Sequence, residues 1–285
     1  MKNCLSIDWE DWFHVCEVEH IYPRRDWDTF PSILEEATDK ILELLNDKGV
    51  RGTFFMLGYC AARHPKLVRR IANQGHEVAC HSFSHQLVYE SDPEAFAVDL
   101  TRGKKLLEDL SGQAVRGFRA PQWSLNHRAA WAVDQLIAAG FEYDSSRAPL
   151  PIVGRSDSPE EVHLLPSANG KGRLVELPPL VFKTPWANLP AGGGWGLRTW
   201  PIRAIVGKAS RLNAKGSPAT FFIHPAEFMG RRRDSRLPWK KRFVLNFGLR
   251  RTEEVLDRLF EHLTLAAAAD VLDELEAATV QEVGL

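Results

Sequence analysis

Residues 50–85 read VRGTFFMLGYCAARHPKLVRRIANQGHEVACHSFSH. Val50 to Leu57 is a short apolar run rich in Thr53, Phe54 and Phe55, side chains that suit a pleated, buried surface. Pro65 to Asn73 reads as a short helix that ends near Gly75, and His76 to Cys80 is strand-like again. A strand, a helix and a second strand in so few residues predict a βα unit with parallel strands. Two histidines, His81 and His85, come directly after the second strand.

The same alternation extends in both directions. Cys4 to Ile7 reads as a strand. Ser32, preceded by Pro31 and followed three residues later by Glu35, predicts a capping box. It opens a helix with Ile33, Leu34, Ala37, Ile41, Leu44 and Leu45 at helical spacing and Gly49 at its stop. Asp92-Pro93-Glu94 supplies a cap, an N1 proline and an early acid for a helix to about Leu110. Val115 to Phe118 is a strand, Asn126 to Gly140 a helix, and Phe141 to Tyr143 the next strand. The second half is less regular, with strands expected at Leu174–Leu177 and Ala219–Ile223. Between them, Gly192-Gly193-Gly194-Trp195-Gly196 lacks the GK[ST] of a phosphate-cradling loop, so it is expected to be a loop with unusual backbone angles. With no internal repeat or low-complexity linker, a single domain over residues 1–285 is expected.

The 285 residues carry 36 Lys and Arg against 37 Asp and Glu, a net charge of −1. This argues against a dedicated nucleic-acid binder, whose domain would be strongly basic. An apolar content of 44% is too high for disorder. Acids interrupt the N-terminus before a signal-type apolar stretch can form, and no apolar run approaches the ~18 residues of a membrane span. Cys4, Cys16, Cys60 and Cys80 show no CxxC spacing, so free thiols and a cytoplasmic location are expected. Charge is unevenly placed: Arg231–Arg251 holds nine Lys or Arg and one acid, a net +8, and Glu253–Leu285 holds nine acids and one Arg, a net −8. Either the basic segment packs against the acidic helices, or its arginines meet an anionic glycan.

Ionisable residues stand where the strands end. Asp8, Glu10 and Asp11 follow the first strand, His81 and His85 the third, Arg119 and Pro121 the fourth, Asp144 the fifth, and His224 and Pro225 the Ala219–Ile223 strand. In a parallel βα barrel such residues converge on one mouth. His81 and His85, at i and i+4, suit a shared divalent metal with a carboxylate as third ligand and one position left for water. Three carboxylates within four residues repel one another unless a cation is near. One of them can ligate a metal while another acts as a base.

Together, Ser6-Ile7-Asp8-Trp9-Glu10-Asp11, His81-Ser82-Phe83-Ser84-His85, Arg119-Ala120-Pro121-Gln122-Trp123, Tyr143-Asp144-Ser145-Ser146 and Phe222-Ile223-His224-Pro225 occur in the order of the polysaccharide deacetylases, carbohydrate esterase family 4 of NodB type. The chain most resembles the branch encoded with exosortase and PEP-CTERM exopolysaccharide loci. The resemblance implies an α/β fold, a distorted (β/α) barrel with parallel strands, and hydrolysis of N-acetyl groups on the amino sugars of a polysaccharide or oligosaccharide. It implies a divalent metal, zinc first and cobalt, nickel or manganese next, held by one acid with His81 and His85. It implies Asp8 as general base, Arg119 orienting Asp8, His224 as general acid, and Asp144 keeping His224 charged. Pro121, Trp123 and Trp195 are the expected substrate contacts.

The family pattern usually has two adjacent aspartates in its first motif. Here Trp9 follows Asp8, so the acid ligand is Glu10 or Asp11; relatives with an Asp-x-acid start favour Glu10, reached through a one-residue bulge. Ala226 stands where many relatives of this branch have an aromatic residue. Asp144-Ser145-Ser146 replaces an Asp-Pro-Trp type of motif. His14, His20, His64, His76, His127, His163 and His262 read as structural or surface residues, and Glu227 as a cap. Two other functions remain open: amide hydrolysis of a small cyclic ureide on the same fold, and a glycan-binding barrel without catalysis.

Overall fold

The computed structural model describes residues 1–150, 158–170, 172–184, 186–231, 234–275 and 281–282. Strand β1 (Asn3–Trp9) is followed by α1 (Leu34–Asp47), β2 (Thr53–Met56), α2 (Gly58–Arg63), α3 (Pro65–Asn73), β3 (Glu77–Cys80), α4 (Pro93–Ser111), β4 (Gly117–Phe118), α5 (Ala132–Ala138) and β5 (Tyr143–Asp144). The second half adds β6 (His163–Pro166), β7 (Arg173–Glu176), the hairpin β8 (Val181–Lys183) and β9 (Asn188–Pro190), α6 (Gly194–Thr199), α7 (Ile202–Asn213) and β10 (Thr220–Ile223). It ends with α8 (Trp239–Asn246), α9 (Thr252–His262), β11 (Leu265–Ala266), α10 (Ala268–Glu274) and β12 (Gln281–Glu282).

The main sheet runs β10-β1-β2-β3-β4-β5-β7, with every neighbouring pair parallel. Strand β6 lies antiparallel on the outer side of β7. The sheet curls back on itself. After β7 the chain leaves β5 through Leu177 N–H to the Asp144 carbonyl and reaches β10, where Pro179 pairs with Thr220. Isolated parallel bridges, Pro179 with Thr220 and Gly193 with Phe222, hold the seam in place of a full strand, and the ring is a distorted (β/α) barrel rather than a regular eight-fold one.

Alternation along β1 sorts the core into two layers. Leu5, Ile7 and Trp9 face the helices and join the large cluster with Leu34, Ile41, Phe54 and Ile223. Cys4 faces the barrel axis with Phe55, Ala79, Tyr143 and Leu177, and Ala268 and Val271 of α10 close that end. Ser6 and Asp8 continue the inward face toward the carboxyl end of the barrel. Hydrophobic filling thus stops below Asp8, and polar residues take over at the mouth. Cys80 faces outward, toward Gly103 of α4, as the strand alternation requires.

Local signals were read correctly at α4, where the Asp92 side chain accepts from Ala95 N–H and Gly112 ends the helix in the left-handed region. At α1 the expected capping box does not form. Ile33 is the cap residue, its own N–H donates to Asp11 Oδ1 at 2.8 Å, and Ser32 Oγ accepts only from Leu34 N–H. The basic segment contacts the acidic C-terminal helices through its Leu249–Arg251 end, which lies against α9, but no ion pair joins the two among the described residues. Asp257, Asp270, Asp273 and Glu274 pair with Lys48, Arg51, Arg116 and Lys2 from the first half. Arg232 and Arg233 of the basic segment lie outside the described residues.

Candidate metal and acid–base site

The loop after β1 makes the first half of the site. Trp9 points outward, its indole donating to Thr38 of α1 at 2.9 Å. Glu10 N–H then donates to the Asp8 carbonyl at 3.0 Å, a tight turn that returns the Glu10 side chain to the side of Asp8. This turn is the device that an Asp-Trp-Glu start needs to bring two acids to one mouth. Asp11 is turned away instead, because its carboxylate caps α1. It is therefore not among the groups that converge on the histidines, and burial raises its pKa.

Glu10, His81 and His85 each offer an atom within 4.8 Å of the others, and all three are buried. His85 Nε2 and His81 Nε2 lie 2.9 and 3.6 Å from Glu10 Oε2, an oxygen otherwise without a hydrogen-bond partner. His81 Nδ1 is 2.7 Å from the Arg119 carbonyl, which can only accept. The proton therefore sits on Nδ1, and the Nε2 lone pair faces the carboxylate. Two acceptors facing each other in a buried space require a positive charge between them. Two imidazoles and one carboxylate are the donor set that a divalent transition metal takes with a coordination position left open.

Arg119, fully buried at the end of β4, organises the other half. Its NH1 donates to Asp8 Oδ1 at 2.5 Å and to Ser6 Oγ at 2.9 Å, while Nε and NH2 hold the Ser145 carbonyl and hydroxyl. The guanidinium also stacks on Phe55 at 4.1 Å and beside Trp123 at 5.0 Å. Such a charge-assisted contact fixes the Asp8 carboxylate in one rotamer.

Across the mouth, His224 Nε2 lies 3.8 Å from Asp8 Oδ2, and His224 Nδ1 lies 3.2 Å from Glu227 Oε1. Burial works against a charged His224, but its hydrogen bond to the Glu227 carboxylate and the nearby Asp8 prevail and raise its pKa. Glu227 in turn receives Arg198 NH1 on its other oxygen. Although burial resists it, contact with His224 and Arg198 holds the Glu227 carboxyl below its usual range. Arg198 also donates to the Phe247 and Val244 carbonyls, which ties α6 to α8.

Asp144 does not serve His224. It accepts from Ser146 N–H and Oγ and lies against the buried Glu176, whose carboxyl pKa burial and the Asp144 charge push well up. Ser146 Oγ in turn accepts from Ala120 N–H at 2.7 Å. The Asp144-Ser145-Ser146 segment is thus a clamp on the Arg119–Ala120 backbone and guanidinium. Glu227 takes the partnership with His224 that the sequence assigned to Asp144, and it also caps the turn after His224.

Trp123 and Trp195 line an apolar cavity of ≈ 470 Å³ that reaches His224, together with Leu180, Phe222, Val244 and Leu245. Pro121 is buried, and its neighbours Ala120, Gln122 and Trp123 line the small space above Asp8, His81 and His85. All five described non-glycine residues with positive φ (Glu17, Ser82, His85, Gln122 and Trp123) lie in loops at the carboxyl ends of β1, β3 and β4. Strain of this kind persists where surrounding contacts impose it, and here it gathers at the mouth.

Sequence reading passed over two further members. His14 accepts the Asp11 N–H on Nδ1 at 3.0 Å, lies beside His85, and is pushed down to about 3 chiefly by burial. Its spacing of four from Glu10 was the available signal. For Arg198, which sits on a helix 29 residues before Glu227, the sequence offered none.

Residues 26–141 match the family model for polysaccharide deacetylase, and residues 145–273 match a domain of unknown function, DUF3473. Over residues 26–141 the chain is similar in sequence to the polysaccharide deacetylases. A peptidoglycan-N-acetylglucosamine deacetylase of Bacillus cereus is 34% identical over 101 residues, 35% of this chain and 37% of that protein. A chitooligosaccharide deacetylase of a Bradyrhizobium species is 30% identical over 122 residues, 42% of this chain and 56% of that protein. The matches thus span from about a third to a little over half of these relatives' own lengths. Among solved structures, a Mycobacterium smegmatis protein assigned to the polysaccharide deacetylases superposes with a TM-score of 0.65 at 22% identity, covering 100% of this chain and 94% of that one. A family 4 pseudoenzyme of Bacillus anthracis superposes with a TM-score of 0.52 at 13% identity, over 99% of this chain and 70% of that one. The polysaccharide deacetylase fold is therefore shared across this chain, while fold alone does not separate catalysts from pseudoenzymes. Both matched segments feed one sheet, since β10 lies beside β1.

Proposed function

We propose that this protein is a divalent-metal-dependent hydrolase that removes N-acetyl groups from amino sugars of an exopolysaccharide, with zinc as the first candidate metal. The observation that carries the reading is the joint presence of three elements at one mouth. They are the Glu10–His81–His85 donor set, a carboxylate fixed by Arg119, and an imidazole kept cationic by Glu227. A binding module needs no separate base and acid, so the glycan-binding alternative leaves this arrangement without a purpose.

A divalent cation bound by Glu10, His81 and His85 supplies Lewis-acid polarisation of the amide carbonyl and acidification of water. Asp8, held in place by Arg119, accepts the proton of the attacking water on the oxygen that faces His224. His224 carries its proton on Nε2 and delivers it to the amide nitrogen as the C–N bond breaks. The products are acetate and a free amine on the sugar. Glu227, itself held by Arg198, keeps that proton on His224 until the amine leaves. Trp123, Trp195 and Phe222 offer apolar walls on which a sugar ring can stack.

The test is acetate release from N-acetylated glucosamine oligomers and polymers after loading with Zn²⁺, Co²⁺, Ni²⁺ or Mn²⁺. Release is expected only with metal, and Asp8→Asn is expected to lower it by about 10²–10⁴-fold, the usual contribution of a general base. Metal-loaded protein that releases no acetate from any of these glycans would overturn the reading, and ring opening of a cyclic ureide would replace it.

A further inference from the structure

Seven large apolar side chains are exposed among the described residues, and four of them, Trp239, Phe243, Val244 and Phe247, lie on or at the end of α8. This eight-residue helix has no buried residue. Trp239, Phe243 and Phe247 follow one another at intervals of four and share a face. The rings of Phe243 and Phe247 are 5.2 Å apart. Such clustering differs from the scattered single exposures that are normal on a soluble surface, and it marks a docking face.

Cations ring the patch. Arg236 and Lys241 are paired with Asp234 and Glu17. Arg231, Lys240, Arg242 and Arg250 make no ion pair among the described residues. Three of these four, Arg231, Arg242 and Arg250, line one groove with Trp239, Phe243 and Phe247. Asp257, Asp270, Asp273 and Glu274 of the acidic C-terminal helices are engaged elsewhere, while Glu253 shares a neighbouring groove with Arg231 and Arg250 without an ion pair among the described residues. On its other side α8 presents Lys241, Val244 and Leu245 to the cavity that reaches His224. The β8–β9 hairpin lines that same cavity, and Trp186 at its tip is 93% exposed.

We propose that α8 and its flanking arginines dock on an anionic lipid bilayer, with the aromatic side chains in the interfacial region and the cations on phosphate headgroups. Aromatic and basic side chains interleaved on a helix with no fully buried residue have the composition of an in-plane membrane anchor. An apolar protein face would leave four cations buried without counter-charge. The docking would hold the mouth of the barrel beside the membrane, where a surface-held glycan could reach it. This inference rests on the surface of α8 and not on the chemistry at the mouth.

Co-sedimentation of the full chain with vesicles tests it. The protein is expected to pellet with phosphatidylcholine vesicles that contain phosphatidylglycerol, and to stay soluble with phosphatidylcholine alone or in high salt. Trp239→Ser with Phe243→Ser, and separately Arg242→Glu with Arg250→Glu, should each weaken binding by about tenfold or more while leaving the thermal melt unchanged. Binding that ignores lipid charge, full binding by either double variant, or no binding to any vesicle would overturn the proposal. A dimer lost in the Trp239/Phe243 variant would assign the face to a second copy, and retention on an anionic polysaccharide without vesicle binding would assign it to a glycan. Acetate release from a soluble oligomer, measured on the same preparation, reports the deacetylase reading separately.

Discussion

Glu227 is the residue on which the acid side of the site depends. It touches Nδ1 of His224 with one oxygen and Arg198 with the other, so its charge is fixed by one neighbour and used by the next. In the proposed reaction His224 must be protonated, and its pKa is raised by Glu227 and Asp8 against the opposing effect of burial. Activity is therefore expected to persist above the ordinary histidine range and to fall as pH rises through the His224 pKa. Glu227→Gln removes the charge while keeping an acceptor, so the alkaline limb of the kcat/KM profile should move to lower pH. An unmoved limb would show that Glu227 only caps the turn. At the other acid pair the two residues separate cleanly. Glu10→Gln is expected to abolish metal retention after dialysis, measured by elemental analysis. Asp11→Ala should retain metal but lower stability by about 0.5–2 kcal/mol, the usual loss for a helix cap, seen as a lower Tm. Metal loss in Asp11→Ala with retention in Glu10→Gln would reverse the assignment.

Among elements, the glycine-rich segment before α6 shows how packing, more than backbone angle, can require glycine. Gly194 has φ +54, in line with the expectation of unusual angles. Gly193 instead has an extended backbone, and a Cβ there would lie 2.5 Å from the Phe222 ring and carbonyl. The segment runs so close to β10 that Phe222 N–H donates to the Gly192 carbonyl. This contact places α6, and with it Arg198 and Trp195, against the mouth. Gly193→Ala should cost about 1–3 kcal/mol through overpacking, read as a lower urea midpoint. An unchanged midpoint would mean that the loop has room to move away from β10. The Asp144-Ser145-Ser146 segment makes a similar point. It departs from the family's usual motif, and its hydroxyls hold Arg119 and Ala120 instead of the general acid.

For the whole molecule, the order of strands decides what can stand alone. β1 is flanked by β2 from the first half and by β10 from the second, in register Cys4 with Thr220 through Ile7 with Ile223. A fragment ending at Asp144 would leave β1 with one open edge and remove the α10 residues that close the end of the barrel. It would also lose His224, Glu227 and Arg198. Such a fragment is expected not to fold, with no near-UV circular dichroism and poorly dispersed amide resonances. A folded fragment would show that residues 26–141 form an independent unit and would overturn the single-domain reading.

Alternation of apolar runs with helical segments was enough to place parallel strands, and the position of Asp8, Glu10, His81, His85, Arg119 and His224 just after those strands was enough to gather them at one mouth. That much is local, because period and turn chemistry act over a few residues. Assignments that depended on which side chain meets which were not legible. The sequence could not say that Asp11 would cap α1, that Asp144 would face Glu176 and Ser146, or that an arginine 29 residues upstream would hold Glu227. Nor could the two opposite charge blocks reveal that they would take different partners. Each of these was decided by the tertiary structure, since Coulomb and hydrogen-bond energies depend on distances that only the closed barrel sets.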